Sequence, residues 1–184
     1  MTLGPALVRV SKRISRALRH RPDAVGLTLD PNGWVPVADL LAALRITRSE
    51  LDKVVAGNDK RRFAIESGTD GVERIRASQG HSVPVDLGLT PLVPPDQLFH
   101  GTSAANLAPI LAEGLVPGRR HHVHLSADIV TARAVGARRG PAHVVVLRVD
   151  AAAMSADGHA FYRSANGVWL ADAVPPRYLV KLSA

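Results

Sequence analysis

The stretch Arg119-Arg-His-His-Val-His-Leu-Ser126 decides how the second half of the chain is read. His122 and His124 alternate with Val123 and Leu125, the period of a half-buried strand. Two guanidiniums stand next to three imidazoles, so groups that hold phosphate sit beside groups that donate protons or hydrogen bonds. A His-x-His pair can also hold zinc. The chain has no Cys, and no carboxylate nearby completes a ligand set, which argues against a metal. A basic edge strand kept soluble by its charge is the alternative reading of the same residues.

Outward from that strand, residues 98 to 184 hold several short strands. They are Leu98 to Thr102, Val144 to Val149 as the most buried, a hairpin from Ala160 through the Asn166-Gly167 turn to Leu170, and Tyr178 to Leu182. Helices are expected from Asn106 to Glu113, with Asn106 as cap, and from Asp128 to Arg139. Between Val83 and Pro95 four prolines appear without helical period, and we read residues 84–96 as an ordered linker. The first lobe, residues 1–83, opens on an amphipathic helix from about Ala6 to His20. Leu7, Val10, Ile14 and Leu18 form one face, and Arg9, Arg13, Arg16 and His20 lie on the other. Leu27 to Leu29, the Asp30-Pro-Asn-Gly33 turn and Trp34-Val35 read as two short strands. Val37 to Leu44 reads as a helix, and Thr47-Arg-Ser-Glu50 caps another. Arg62 to Glu66 and Val72 to Arg76 then make a hairpin. This order suggests a winged-helix unit. The fold class is α+β, in two lobes: 1–83 and 97–184.

The 184 residues are 46% apolar, enough for packed cores, with a formal charge of +7 dominated by arginine. Such a balance favours phosphate-rich partners, nucleic acid above all. A solubilising surface charge would give the same composition. Aromatics are only 4%, which argues against a broad base-stacking platform. No run has the length of a membrane span or of a signal-peptide core, and the absence of Cys excludes thiol catalysis. A cytoplasmic protein with no membrane contact and no obligate protein partner is the simplest expectation.

Six stretches now match one family in order. They are Ser11-Lys12 with Leu18-Arg19-His20, Asn58 to Phe63, Arg76 to Ser82, His100-Gly-Thr102, Arg120 to Ser126, and Asn166 to Leu170 followed by Val174-Pro-Pro176. Together they resemble the KptA family of NAD-dependent RNA 2′-phosphotransferases, over nearly the whole chain. The resemblance implies a winged-helix lobe (1–83), the linker 84–96 and an ADP-ribosyltransferase-like, NAD-binding lobe (97–184). It implies removal of an internal RNA 2′-phosphate in two steps. The phosphate first takes ADP-ribose from NAD with loss of nicotinamide. Transesterification then gives 2′-hydroxyl RNA and ADP-ribose 1″,2″-cyclic phosphate, with no metal.

By the same resemblance the catalytic residues are Arg19, His20, Arg62 and Arg120. Arginine forks suit phosphate oxygens, and His20 is placed to bind phosphate or move a proton. The expected NAD contacts are His100, Gly101, Thr102, Asn106, His124, Ser126 and Val168, with Gly101 permitting close approach of backbone to ligand. Val168 stands where many protein-modifying relatives have a glutamate that would repel a phosphate nucleophile. Lys12, Gly80, His81 and Ser82 are the expected substrate-binding residues. The last three should line the cleft between lobes, although His81 suits a packing role nearly as well. Arg61 and Arg119 are neighbours that could be mistaken for Arg62 and Arg120, and strand alternation should send Arg61 to the opposite face. The partner is 2′-phosphorylated RNA. Two other readings stay open: an ADP-ribosyltransferase that caps phosphorylated ends or small molecules, and a winged-helix regulator with a nucleotide effector.

Overall fold

A computed structural model describes residues 3–57, 61–139 and 144–182. Asn58, Asp59 and Lys60, the first part of one motif quoted above, lie outside them. The chain separates into two compact units, Met1–Gly88 and Leu89–Ala184.

Among its described residues the first unit has three α-helices, a short 3-10 turn at Asp23–Val25 and a three-stranded antiparallel sheet. Helix α1 spans Pro5–Arg19, β1 Val35–Pro36, α2 Val37–Leu44, α3 Arg48–Ala56, β2 Phe63–Ser67 and β3 Glu73–Ala77. The strand order is β1-β3-β2. Pro5 starts α1, where a missing N–H costs nothing. Val10, Ile14 and Leu18 bury the apolar stripe of α1 against Leu40 and Leu44 of α2, Leu51 and Val54 of α3, and Phe63 and Ile75 of the sheet. Each such side chain contributes about 1.5–3 kcal/mol by leaving water. Thr47 caps α3 as its sequence predicts: its side chain accepts from the Glu50 N–H, and the Glu50 carboxylate accepts from the Thr47 N–H.

One expected strand is absent. Residues 27–29 have no strand partner, and the ladder begins at Val35, opposite Ile75. The reason lies in Asp30. Its carboxylate accepts the N–H groups of Asn32 (2.9 Å) and Trp34 (2.8 Å), closing a tight loop where a ladder would have needed those donors.

The second unit has two three-stranded antiparallel sheets. Its elements are β4 Gln97–Ser103, α4 Leu107–Glu113, β5 Val123–Leu125, α5 Ile129–Gly136, β6 Val144–Asp150, α6 Ala151–Ala156, β7 Phe161–Arg163, β8 Trp169–Ala171 and β9 Leu179–Lys181. One sheet runs β4-β6-β9 and the other β5-β8-β7. The two are joined where Phe99 of β4 and Ser126, just after β5, exchange backbone hydrogen bonds of 2.9 and 2.8 Å. Leu98, Leu125, Leu147, Met154, Phe161 and Leu170 are among its most deeply buried side chains. Asn106 stands at the N-terminus of α4, yet its side chain makes no cap. It reaches Thr102 Oγ1 instead, at 3.4 Å. Helix α6 is an addition to the elements expected from sequence. The architecture is thus α+β with small antiparallel sheets, as expected. No helix among the described residues is long and apolar enough to cross a membrane.

Candidate functional site

In the first unit, one end of α1 is tied to the loop that follows β3. His20 follows the last residue of α1, and its Nδ1 lies 2.9 Å from Ser82 Oγ. The Ser82 N–H donates to the carbonyl of Arg19 at 2.8 Å. Arg19 Nη2 donates to the carbonyl of Arg62 at 3.4 Å. Ser78, buried, completes the arrangement. Its hydroxyl donates to Arg61 O at 2.7 Å and its N–H to Arg62 O at 2.9 Å.

Arg61 carries a φ of +39°, a conformation side chains rarely adopt. It lies before β2 rather than within it. The expectation that strand alternation parts Arg61 from Arg62 is therefore replaced by a left-handed backbone turn held by Ser78. Arg62 then lines a cleft of about 420 Å³ together with Lys12, Ser15, Arg16 and His20. Gly80 has φ +86°, and His81 is buried with its Nε2 against Gly33.

In the second unit the imidazoles sort themselves by hydrogen bonding. His100 Nδ1 lies 3.0 Å from the carbonyl of His124. A carbonyl only accepts, so that nitrogen carries a proton, and in the neutral ring Nε2 is the acceptor. Arg120 Nη1 lies 2.8 Å from His124 Nδ1. A guanidinium only donates, so His124 accepts at Nδ1 and bears its proton on Nε2. The two rings present opposite faces of hydrogen-bond chemistry. Arg120 itself sits in the turn that starts at Pro117, ahead of β5.

Val123 and Leu125 are buried and His124 is half-buried, the alternation the sequence indicates. His122 has other partners. Its ring meets Tyr162 edge-on at 5.5 Å, and Nε2 lies 3.6 Å from Asp172. Burial holds this imidazole below its ordinary range; Asp172 works in the opposite direction, and His121 adds to the lowering. Thr102 is buried, Ser126 is fixed by the backbone pair with Phe99, and Val168 closes the hairpin turn, its N–H on Ser164 Oγ at 3.2 Å.

Gly101 has a reason within the fold itself. A Cβ there would lie 1.8 Å from the carbonyl oxygen of Ala132 and 3.0 Å from the nitrogen of Gly136. The close approach it permits is to the backbone of α5. Among the described residues no group of three or more His, Asp or Glu is placed to hold a metal ion.

The family model described as RNA 2′-phosphotransferase, Tpt1 / KptA family, matches residues 5–173. The chain belongs to that family.

Its Tpt1/KptA relatives match over most of their length. A probable RNA 2′-phosphotransferase of Streptomyces griseus is 58% identical over 182 residues, covering 94% of this chain and 95% of that protein. One from Agrobacterium fabrum is 56% identical over 92% of this chain and 91% of its own length. One from the cyanobacterium Nostoc punctiforme is 52% identical over 96% and 97%. Membership makes this chain an enzyme of the transferase class.

The Tpt1/KptA motifs thus fall into two groups, one in each unit. Lys12, Arg19, His20, Arg62 and Ser82 lie on or beside α1 in the first. His100, Thr102, Asn106, Arg120, His124 and Ser126 belong to the region around β4 and β5 in the second. Ser15 and Ser78 were not singled out by sequence reasoning, and Arg16 was placed on the basic face of α1 without a role. Helical spacing from Lys12 could have found Ser15. Ser78 needed the register of β2 on β3, in which Phe63 faces Ala77.

Proposed function

We propose that this Tpt1/KptA enzyme removes an internal 2′-phosphate from RNA in an NAD-dependent, two-step reaction. The observation that carries the proposal is the gathering of Lys12, Arg16, His20 and Arg62 on one cleft of the first unit. A 2′-phosphomonoester beside a phosphodiester is a dense negative charge. Cations with fork geometry and a titratable imidazole are the groups that would bind it. The names of the relatives and the +7 charge support the same substrate class.

NAD, when bound, supplies an electrophilic ribose carbon from which nicotinamide departs. The donor set of the second unit fits such a co-substrate. His100 offers an acceptor at Nε2 and His124 a donor at Nε2, a pair suited to ribose hydroxyls and phosphate. Thr102, Asn106 and Ser126 would add hydroxyl and amide contacts. Gly101 keeps its place in this set indirectly, by seating β4 on α5.

In the chemistry, Arg19 and Arg62 of the first unit would neutralise charge on the phosphate and hold it for in-line displacement, and Arg120 of the second unit would act as a further catalytic guanidinium. His20, oriented through Nδ1 by Ser82, would hold or move the proton at its Nε2. A phosphate nucleophile is already anionic and needs no base, which agrees with Val168 in place of a carboxylate. The order α1-β1-α2-α3-β2-β3 supports a winged-helix reading of the first unit. The paired sheets of the second support an ADP-ribosyltransferase-like reading.

Incubation with a 2′-phosphorylated oligonucleotide, with and without NAD, tests the proposal. Loss of the 2′-phosphate and appearance of the cyclic ADP-ribose phosphate only with NAD is the expected result. A substrate that keeps its phosphate and gains ADP-ribose would identify a capping ADP-ribosyltransferase instead.

A further inference from the structure

Along α1, the side chains lining the cleft recur one helical turn apart. Val8 is followed by Ser11 and Lys12, then by Ser15 and Arg16, then by His20. Each turn rises about 5.4 Å. Arg62 and His20 mark the C-terminal end, and Leu3 with Val8 the N-terminal end. The surface therefore grades from cationic to apolar along the helix axis.

The cations of α1 are divided between two tasks. Arg13 donates to the carbonyl of Leu44, the last residue of α2, and so ties two helices together. Lys12 and Arg16 are exposed on the cleft side, with Ser15 half-buried between them. No acidic side chain is among the described lining residues.

We propose that this face of α1 is the track of the RNA strand flanking the 2′-phosphate. Ser15 and Arg16 hold the phosphodiester nearest the reacting group, Lys12 holds the next one, and Leu3 with Val8 receives a base. The proposal rests on the phosphotransferase reading above and extends it from the reacting phosphate to its neighbours. A single strand carries one charge per nucleotide and an apolar base beside each. Cations at turn spacing with an apolar floor at one end are the complement of that pattern. Sequence-independent contact follows, because Lys12, Ser15 and Arg16 are assigned to phosphates, which carry no sequence information.

The test compares kcat/KM for phosphate loss on a 2′-phosphorylated dinucleotide with that on strands lengthened from it. In the wild type the longest strand is expected to exceed the dinucleotide by about tenfold at low salt, the scale of one or two phosphate contacts. Ser15→Ala and Arg16→Ala should each reduce that ratio several-fold. Arg16→Ala should also lower the slope of log kcat/KM against log salt on the long strand by about one. Arg16→Lys should recover the slope, because the charge is what the slope counts. Variants that keep the wild-type length preference and salt slope would overturn the track. Wild-type enzyme that leaves even the dinucleotide phosphorylated would instead overturn the phosphotransferase reading. Fluorescence anisotropy of strand binding would then judge the track alone, by the same loss of slope in Arg16→Ala.

Discussion

Arg120 Nη1 donates to Nδ1 of His124 across 2.8 Å, and that contact places the neutral ring's proton on Nε2. An arginine read from sequence as a phosphate ligand is thus also the group that sets an imidazole tautomer. Arg120→Ala should remove the donor at His124 Nδ1 that favours the Nε2 proton and lower turnover about 10²–10³-fold, the range for losing one pre-positioned donor. Nitrogen-15 NMR of the ring would report the tautomer directly. A His124 that still holds its proton on Nε2 in Arg120→Ala would show that another contact sets it.

Arg61 and Arg62 are adjacent in sequence and should part completely under mutation. Arg62 lines the cleft, so Arg62→Ala should cost about 10²-fold or more in kcat. Arg61 holds φ +39°, which suits glycine better than arginine. Arg61→Gly should stabilise the first unit by up to about 1 kcal/mol and retain turnover. Chemical denaturation and steady-state kinetics on the two variants check both halves. A large fall in kcat for Arg61→Gly would mean the assignments are reversed.

Gly101→Ala should destabilise the second unit without any appeal to ligand. The new methyl would meet backbone atoms of Ala132, which cannot rotate away. A cost of about 3 kcal/mol, the upper part of the usual range for overpacking, is expected in a denaturant titration. Unchanged stability would show that α5 shifts freely on β4.

Acid should weaken the fold through His122. Its imidazole, lowered by burial, binds a proton less readily in the folded chain than in the unfolded one, where the ordinary value is 6.5. The unfolded chain therefore gains protons first as pH falls below that value, and stability declines until the folded ring also titrates. His122→Gln should show a shallower fall in melting temperature between neutral pH and pH 5.5 than the wild type. Parallel curves would exclude the contribution.

The helices of the first unit were legible because their signals are local. Ile14 and Leu18 keep helical period, and Thr47 with Glu50 spells a capping box. Residues 27–29 misled because alternation alone does not supply a partner strand, and the Asp30 carboxylate had already taken the neighbouring N–H groups. Helix α6 escaped because six residues after Asp150 are too few to display a period. In the candidate site, the motif arginines and histidines could be named in advance. The role of Ser78 could not, since it arises only when β2 and β3 align.

The loop from Ser78 to Ser82 has a further consequence. Its first serine grips the carbonyls of Arg61 and Arg62, and its last grips the end of α1 at Arg19 and His20. Anyone transplanting this chemistry to another scaffold would have to copy those five residues before any arginine. A single peptide-bond cleavage inside them would disarm three catalytic candidates together, while leaving every one of their side chains chemically intact.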